Sequence, residues 1–313
     1  MDNIKKGYIN RFINFNFKAF KPFLHFFYTL FWFLSLECLL ILANNTSYLN
    51  IDLELLLEIS SVFIMLFFFR VVDEIKDYEY DMKYNKSRPL VTGEVTRKEL
   101  YIYIISSIII LTVINFYLSK VLLLIISIDI IYSLLLVFIE KRSDKIKNNL
   151  FINMAFSYPI NILLNVYICF SFFTNHHVSP SIASIGPLCA FVIVYLTFEF
   201  SRKTFWPHQI SGVEQRCYSE IIGVSGALLL IISCGIIPVL IELFLLEPWR
   251  GDSIKDLINW SILIPYIPLS WGIRKFVKTK NSGSKPLKLG VMTNYSSNYM
   301  TLYFLIIIII SLL

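Results

Sequence analysis

The stretch Ile59-Ser60-Ser61-Val62-Phe63-Ile64-Met65-Leu66-Phe67-Phe68-Phe69-Arg70-Val71-Val72-Asp73-Glu74-Ile75-Lys76-Asp77-Tyr78-Glu79-Tyr80-Asp81 decides how this chain is read. An apolar run ends in acidic residues at 73, 77 and 81. If the helix continues past Phe69, that spacing stacks three carboxylates on one face, about one turn apart. Like charges so placed repel, and a helix keeps them only beside a cation or in water. A solvated acidic cap is the plain alternative. Cytoplasm-facing ends of membrane helices are usually basic, however, so the pattern points to a metal-binding face.

Outward from this stretch the chain is apolar throughout. Of its 313 residues, 56% are hydrophobic and 16% charged, against about 25% charged in soluble chains. The apolar residues come in runs long enough to cross a bilayer, at about 22–44, 55–76, 99–118, 121–139, 150–173, 183–201, 220–246, 255–273 and 296–313. This predicts an all-α integral membrane protein with nine transmembrane helices. Residues 1–21 form a separate amphipathic segment, with Lys5, Lys6, Arg11, Lys18 and Lys21 among Ile9, Ile13, Phe17 and Phe20. It is suited to lie on an anionic inner leaflet and lacks a cleavage site. Residues 22–313 read as one domain, since no polar stretch is long enough for another. The five cysteines show no metal or disulfide spacing and read as packing residues.

The net charge of +6 would suggest nucleic acid in a soluble protein, but here it follows topology. With the N-terminus inside, the inner segments hold all of the 28 Lys and Arg residues except Lys120, Arg250 and Lys255, as the positive-inside rule requires. The C-terminus then lies outside, and the Asp73–Asp81 stretch lies on the cytoplasmic side. The Ile, Asn and Lys content points to an AT-rich genome and a bacterial inner membrane. Pro89 and Gly93 mark a turn, and Thr96 is a good N-cap for the following helix.

Carboxylates followed by Lys83, Lys86 and Arg88 make a site with both signs of charge. Such oxygen ligands suit Mg2+, a hard cation commonly held by carboxylates and substrate phosphates. The basic residues would contact phosphate, Arg88 as a fork. Together they predict a diphosphate ligand at the inner membrane face. Positive-inside topology alone also accounts for each of the three cations. At the end of the sixth span, Glu199 stands three and four residues from Arg202 and Lys203. An intrahelical ion pair explains this spacing. The functional reading is a second half-site, with Glu199 on a metal and the cations on phosphate. Asp129, Tyr132, Asn161, Asn165 and Tyr195 are polar residues within spans, and are candidates for a cavity lining or for interhelical hydrogen bonds. His176 and His177 read as solvated outer-loop residues, and His208 has no evident partner.

Asp-Glu-x-x-Asp-x-x-x-Asp from Asp73, followed by Arg88-Pro89-Leu90 and Gly93, resembles the first aspartate-rich motif of the UbiA superfamily of intramembrane prenyltransferases. That motif usually begins Asn-Asp, so Asp73 takes the Asn position. The resemblance implies a helical bundle with a lipid-open central cavity and a cytoplasmic active-site cap. It implies Mg2+ and an isoprenyl diphosphate, whose allylic cation attacks an acceptor, commonly aromatic. By position, Glu74, Asp77 and Asp81 would ligand metal with Asp73 in support, and Arg88 would hold diphosphate. The second motif departs: Glu199-x-x-Arg202-Lys203 replaces the usual acidic pair, as in a minority branch with a following Pro, Gly-Val and Tyr-Ser, here Pro207, Gly212-Val213 and Tyr218-Ser219. Arg202 and Lys203 would then replace part of a second metal's charge, leaving one well-held Mg2+. The same family often has Lys-Arg soon after Tyr-Ser in the fourth span. Lys141-Arg142 comes late for that, and Lys141 is given no role.

The residues expected to act in catalysis are therefore Asp77, Asp81 and Glu199. The expected partners are an isoprenyl diphosphate, a lipophilic or aromatic acceptor and membrane lipid, with no nucleic acid. A terpene cyclase on the same scaffold, needing no acceptor, is an alternative. A permease or scaffold is a second one, but it should show a series of acidic residues deep in several spans, and no such series is evident. The Asp-x-x-Asp-Gly-x-x-Ala-Arg signature of CDP-alcohol phosphotransferases is absent.

Overall fold

The computed structural model describes residues 7–46, 49–143, 145–146, 149–210, 217–251, 253–281 and 291–313. Lys5, Lys6 and the Gly212-Val213 pair lie outside the described residues. The side chain of His208 is also outside the description. Every regular element among the described residues is helical: α1 (Tyr8–Phe15), α2 (Pro22–Asn44), α3 (Leu53–Lys76), α4 (Tyr78–Tyr84), α5 (Arg97–Leu118), α6 (Lys120–Arg142), α7 (Leu150–Asn175), α8 (Ile185–Arg202), α9 (Pro207–Ile210), α10 (Tyr218–Ile221), α11 (Gly223–Leu246), α12 (Ile254–Asn259), α13 (Tyr266–Lys278) and α14 (Val291–Leu312).

Among these, α2, α3, α5, α6, α7, α8 with the turn before it, α11 and α14 are long and apolar enough to cross a membrane by length and composition. That makes eight, where the sequence leads one to expect nine. The expected span at 255–273 is broken into α12, a tight turn at Trp260–Leu263, and α13. The 13 residues of α13 rise only about 20 Å, short of the ~30 Å hydrocarbon core. Pro265 and Pro268 lack the amide hydrogens a continuous helix would need there, so the chain starts a new helix instead.

The chain divides into two compact units, Met1–Leu30 with Asn50–Ser171, and Phe31–Leu49 with Phe172–Leu313. In the first, side-chain caps set the helix starts. Asp52 accepts the Leu55 amide at 2.9 Å, and Ser119 accepts the Leu122 amide at 3.1 Å. Thr96 and Glu99 form the reciprocal capping box of α5, as the sequence expects of Thr96. Along α5, Ile105, Ile109, Val113 and Phe116 are exposed, as are Leu124, Ile128, Ile131 and Leu135 of α6. Stripes of this kind suit lipid rather than water.

The N-terminal segment is more than a surface amphipath. Phe15 and Phe20 are fully buried. Phe15 packs in one cluster with Val71, Leu90, Val95, Leu100 and Tyr103. Arg11 pairs with Glu99 at 2.8 Å and Lys18 with Glu94 at 2.5 Å, while Ile9, Ile13 and Phe17 stay exposed. Two of its basic residues therefore bind protein carboxylates, and its buried side braces the loop after α4.

In the second unit, α13 and α14 approach closely at Gly272, where a β-carbon would fall 2.5 Å from that of Tyr295. Ser201 of α8 receives a 2.5 Å hydrogen bond from Ser296 of α14. The five cysteines are free, and all but Cys189 are buried.

Candidate active site

The helix does continue past Phe69, to Lys76, and is then interrupted at one residue. Asp77 leaves helical geometry (φ −87°, ψ 5°) between α3 and α4. The hydrogen-bond ladder nevertheless continues, from the Asp77 amide to Asp73 O at 2.9 Å and from the Asp81 amide to Asp77 O at 2.8 Å. The four-residue register survives, but Asp73, Glu74, Asp77 and Asp81 meet different surroundings.

Asp81 is buried. Its Oδ1 accepts the Asn85 amide group at 2.7 Å, and its Oδ2 lies 3.6 Å from Arg88 Nε. Asp77 is half-buried, and burial raises its pKa to about 6; nearby Asp73, Asp81 and Glu140 push the same way, while Lys76 opposes them. Glu74 turns inward and is nearly inaccessible. One of its oxygens takes Arg70 at 2.5 Å, and the other accepts the Leu90 amide at 3.3 Å. Asp73 is the outermost of the set and pairs with Lys76 at 3.1 Å. Lys83 and Lys86 are exposed and form no ion pair among the described residues.

The loop bearing Arg88 is built by local turns. Arg88 donates its amide to Asn85 O at 3.0 Å, and Thr92 donates to Arg88 O at 2.9 Å. Gly93 has φ +72°, which glycine adopts without strain. Among the described residues, no three His, Cys, Asp or Glu side chains converge closely enough to hold a metal ion by themselves.

In the second unit, Glu199 is buried at the end of α8. Arg202 Nε donates to one oxygen at 2.5 Å and Lys203 Nζ lies 2.9 Å from the other. The Tyr218 hydroxyl also hydrogen-bonds Glu199. Burial, with the Glu199 charge beside it, holds that phenol well above its ordinary pKa. The Tyr218 amide donates to Lys203 O at 2.9 Å, and the Ser219 hydroxyl accepts the Phe205 amide at 3.1 Å. The ion pairing that the spacing allows is what forms, and it fixes two cations at one helix end.

No family model and no curated protein sequence matches the chain. Two solved structures of a UbiA homologue from Archaeoglobus fulgidus do. The one bound to DMAPP and Mg2+ aligns over 90% of this chain and 97% of its own, with 14% identity and a TM-score of 0.52. The one bound to GPP and Mg2+ aligns over 91% and 99%, with 14% identity and a TM-score of 0.51.

The chain has the UbiA fold.

Within its UbiA fold, the polar span residues other than Asp129 take structural partners. Tyr132 donates to Phe156 O at 2.7 Å, three residues before Pro159 of α7. Asn165 bonds both oxygens of Asn161, at 2.9 and 3.2 Å, and Tyr195 packs against Phe198. Asp129 is buried with neither carboxyl oxygen hydrogen-bonded among the described residues. It shares a buried stripe of α6 with Ser133, Leu136 and Glu140.

Three residues beside the acidic stretch escape sequence reading. Lys76 reads as one more inner cation, and Asn85 as a loop residue. Glu140 sits at the end of a span far along the chain. The 4-3-4 spacing of Asp129, Ser133, Leu136 and Glu140 was the available signal, since it puts Glu140 on the buried face.

Proposed function

We propose that this chain is a Mg2+-dependent intramembrane prenyltransferase, which ionises an isoprenyl diphosphate and transfers the prenyl cation to a lipophilic, commonly aromatic, acceptor. The observation that carries this reading is the Asp77 and Asp81 pair at the α3–α4 break, with Arg88 against Asp81, on a fold whose solved examples hold DMAPP or GPP with Mg2+.

The donor set suits the ion. Mg2+ is usually held by one or two carboxylates, with water and substrate phosphate completing the shell. Asp77, kept from ionising freely by burial and by its acidic neighbours, is a group that a divalent cation would relieve. Asp73 and Glu74, candidate ligands by motif position, already hold Lys76, Arg70 and the Leu90 amide. Mg2+, when bound, supplies the positive charge that stabilises a departing diphosphate.

The chain's own residues do the rest. Asp77 and Asp81 place the charge. Arg88 offers a planar fork, and Lys83 and Lys86 point charges, to diphosphate oxygens. Arg202 and Lys203, oriented by Glu199, are proposed as further phosphate-binding cations. The allylic C–O bond breaks with its electron pair going to diphosphate, and apolar walls keep water from the cation. The acceptor then forms the new C–C bond and loses a proton. The distribution of Lys and Arg supports a cytoplasm-facing site with the N-terminus inside, and the Ile, Asn and Lys content supports a bacterial inner membrane.

The test is mass spectrometry of products from the purified protein, given several prenyl diphosphates and Mg2+, with and without aromatic acceptors. Mg2+-dependent diphosphate release that is lost in Asp77→Ala and Asp81→Ala is expected. A cyclic hydrocarbon or alcohol formed without acceptor would make the protein a cyclase using the same site. No release with any prenyl diphosphate would overturn both.

A further inference from the structure

The two turns of α1 present three different sides. Residues four apart share a helix face, and α1 carries three such pairs: Arg11 with Phe15, Asn10 with Asn14, and Ile9 with Ile13. The first pair faces protein, since Phe15 is fully buried and Arg11 reaches Glu99 at 2.8 Å. The second pair is polar. The third is apolar and exposed, Ile9 by 71% and Ile13 by 44%. This apolar side does not end with α1. It continues through Phe17, 54% exposed, on the wide turn Asn16–Phe20. The Phe17 ring lies 6.1 Å from that of Phe23, centre to centre. Phe23, Leu24, Phe26 and Phe27 are all exposed on the first turns of α2, a helix long and apolar enough to cross a membrane. Lys21 makes the corner between the two, with φ +54°.

We infer that Ile9, Ile13 and Phe17 form a lipid-docking surface, seated among the acyl chains of the leaflet on the side of the Asp73–Asp81 stretch and held by apolar contact rather than by anionic headgroups. Two observations carry it. Through Phe17 and Phe23 the surface is continuous with the apolar entry of α2, so the lipid that surrounds the start of that helix also reaches α1. The cations of the segment are also engaged elsewhere. Arg11 is paired with Glu99 and Lys18 with Glu94, which leaves Lys21 as its exposed lysine without an ion pair among the described residues. An interfacial helix that binds through charge keeps Lys and Arg on its polar face, and here Asn10 and Asn14 hold that face. The three sides of α1 thus meet protein, water and lipid. The surface is independent of the prenyl diphosphate reading. Because Phe15 packs on Leu90 and Val95, one short helix joins the bilayer to the loop that carries Arg88.

The test reads depth on the full chain in nanodiscs of neutral phosphatidylcholine. Spin labels are placed singly at Ile13→Cys, Phe17→Cys and Asn10→Cys in a Cys189→Ser background, because the other native cysteines are buried. Power-saturation electron paramagnetic resonance compares collisions with oxygen, which concentrates among acyl chains, and with a nickel chelate, which stays in water. The oxygen-to-nickel ratio at 13 and 17 should exceed that at 10 severalfold, as for side chains about 5–10 Å into the headgroup–acyl boundary. Equal ratios at all three positions would make the surface solvated and overturn the inference. Low access of both reagents at 13 and 17 would mean a protein cover, from a second copy or a partner, and would overturn it too. So would seating that appears only when phosphatidylglycerol is added. The unmodified chain gives a second reading. A phosphatidylcholine with a diazirine in its acyl chain should label residues 9–17 as it labels the start of α2. Adducts on α2 with none on residues 9–17 would overturn the inference even if the cysteine variants do not fold.

Discussion

Glu74 accepts the backbone amide of Leu90 at 3.3 Å, across 16 residues, and so ties the end of α3 to the loop that carries Arg88. Its other oxygen holds Arg70 at 2.5 Å. A buried carboxylate with both oxygens engaged by the protein acts first as a brace. Glu74→Ala strands the Leu90 amide and the Arg70 guanidinium, and should cost about 3 kcal/mol of stability in thermal or denaturant unfolding. Glu74→Gln keeps an acceptor for Leu90, and should retain Mg2+ half-saturation within about threefold. A tenfold or greater loss of Mg2+ affinity in Glu74→Gln would instead make Glu74 a metal ligand, as its motif position suggests.

Asp77 sets a pH dependence. Its pKa is raised from the ordinary carboxylate value of 3.8 to about 6 by burial and by Asp73, Asp81 and Glu140. Between about pH 4 and 6 the folded chain therefore holds a proton that the unfolded chain has released. This group makes stability fall as pH rises through that window, with the full penalty present above pH 6. Metal binding runs the opposite way, because the ligand must be ionised. Mg2+ or Mn2+ affinity should be flat above pH 7 and should weaken by up to tenfold per pH unit below about 6. An affinity unchanged down to pH 5 would take Asp77 out of the metal's ligands.

These two carboxylates show where the sequence was legible. The spans, the Thr96 cap and the acidic stretch follow from local patterns: apolar length, a capping residue, a four-residue repeat. What each carboxylate does depends on partners that local patterns do not reveal. Glu74 and Asp77 are three residues apart, yet one turns inward to Arg70 and Leu90 and the other sits at a backbone break among like charges. Glu140 reaches Lys76 only because α6 packs beside α3, a contact that no spacing within either helix encodes. The span at 255–273 failed for a local reason instead. Its apolar composition spoke for a helix, while Pro265 and Pro268 set where one has to restart.

The N-terminal segment gives a stability test. Phe15 is fully buried against Val71, Leu90, Val95, Leu100 and Tyr103, so it packs on both α3 and the loop after α4. Phe15→Ala should destabilise the protein by about 3–5 kcal/mol. Because Leu90 and Val95 flank the Arg88 loop, hydrogen exchange should rise at residues 88–95 in the same variant. A segment lying only on lipid would show neither effect, and exchange in that loop would match wild type.

The Glu199 cluster separates a metal ligand from a cation holder. Arg202 Nε and Lys203 Nζ lie 2.5 and 2.9 Å from its two oxygens, and a metal ion there would have to displace at least one of them. If the cluster serves a diphosphate through its cations, Arg202→Met and Lys203→Met should each raise KM for the prenyl diphosphate about tenfold or more. Mg2+ half-saturation should then change little. Glu199→Gln keeps two acceptor or donor positions but loses the charge that orients both cations, and should resemble a weaker form of the same defect. Glu199→Gln would behave differently if Glu199 ligated metal: its Mg2+ half-saturation would rise at least tenfold, while the two cation variants left it unchanged. Steady-state titrations of both substrate and Mg2+ on the three variants distinguish the two patterns, because only the second couples Glu199 to the metal axis alone.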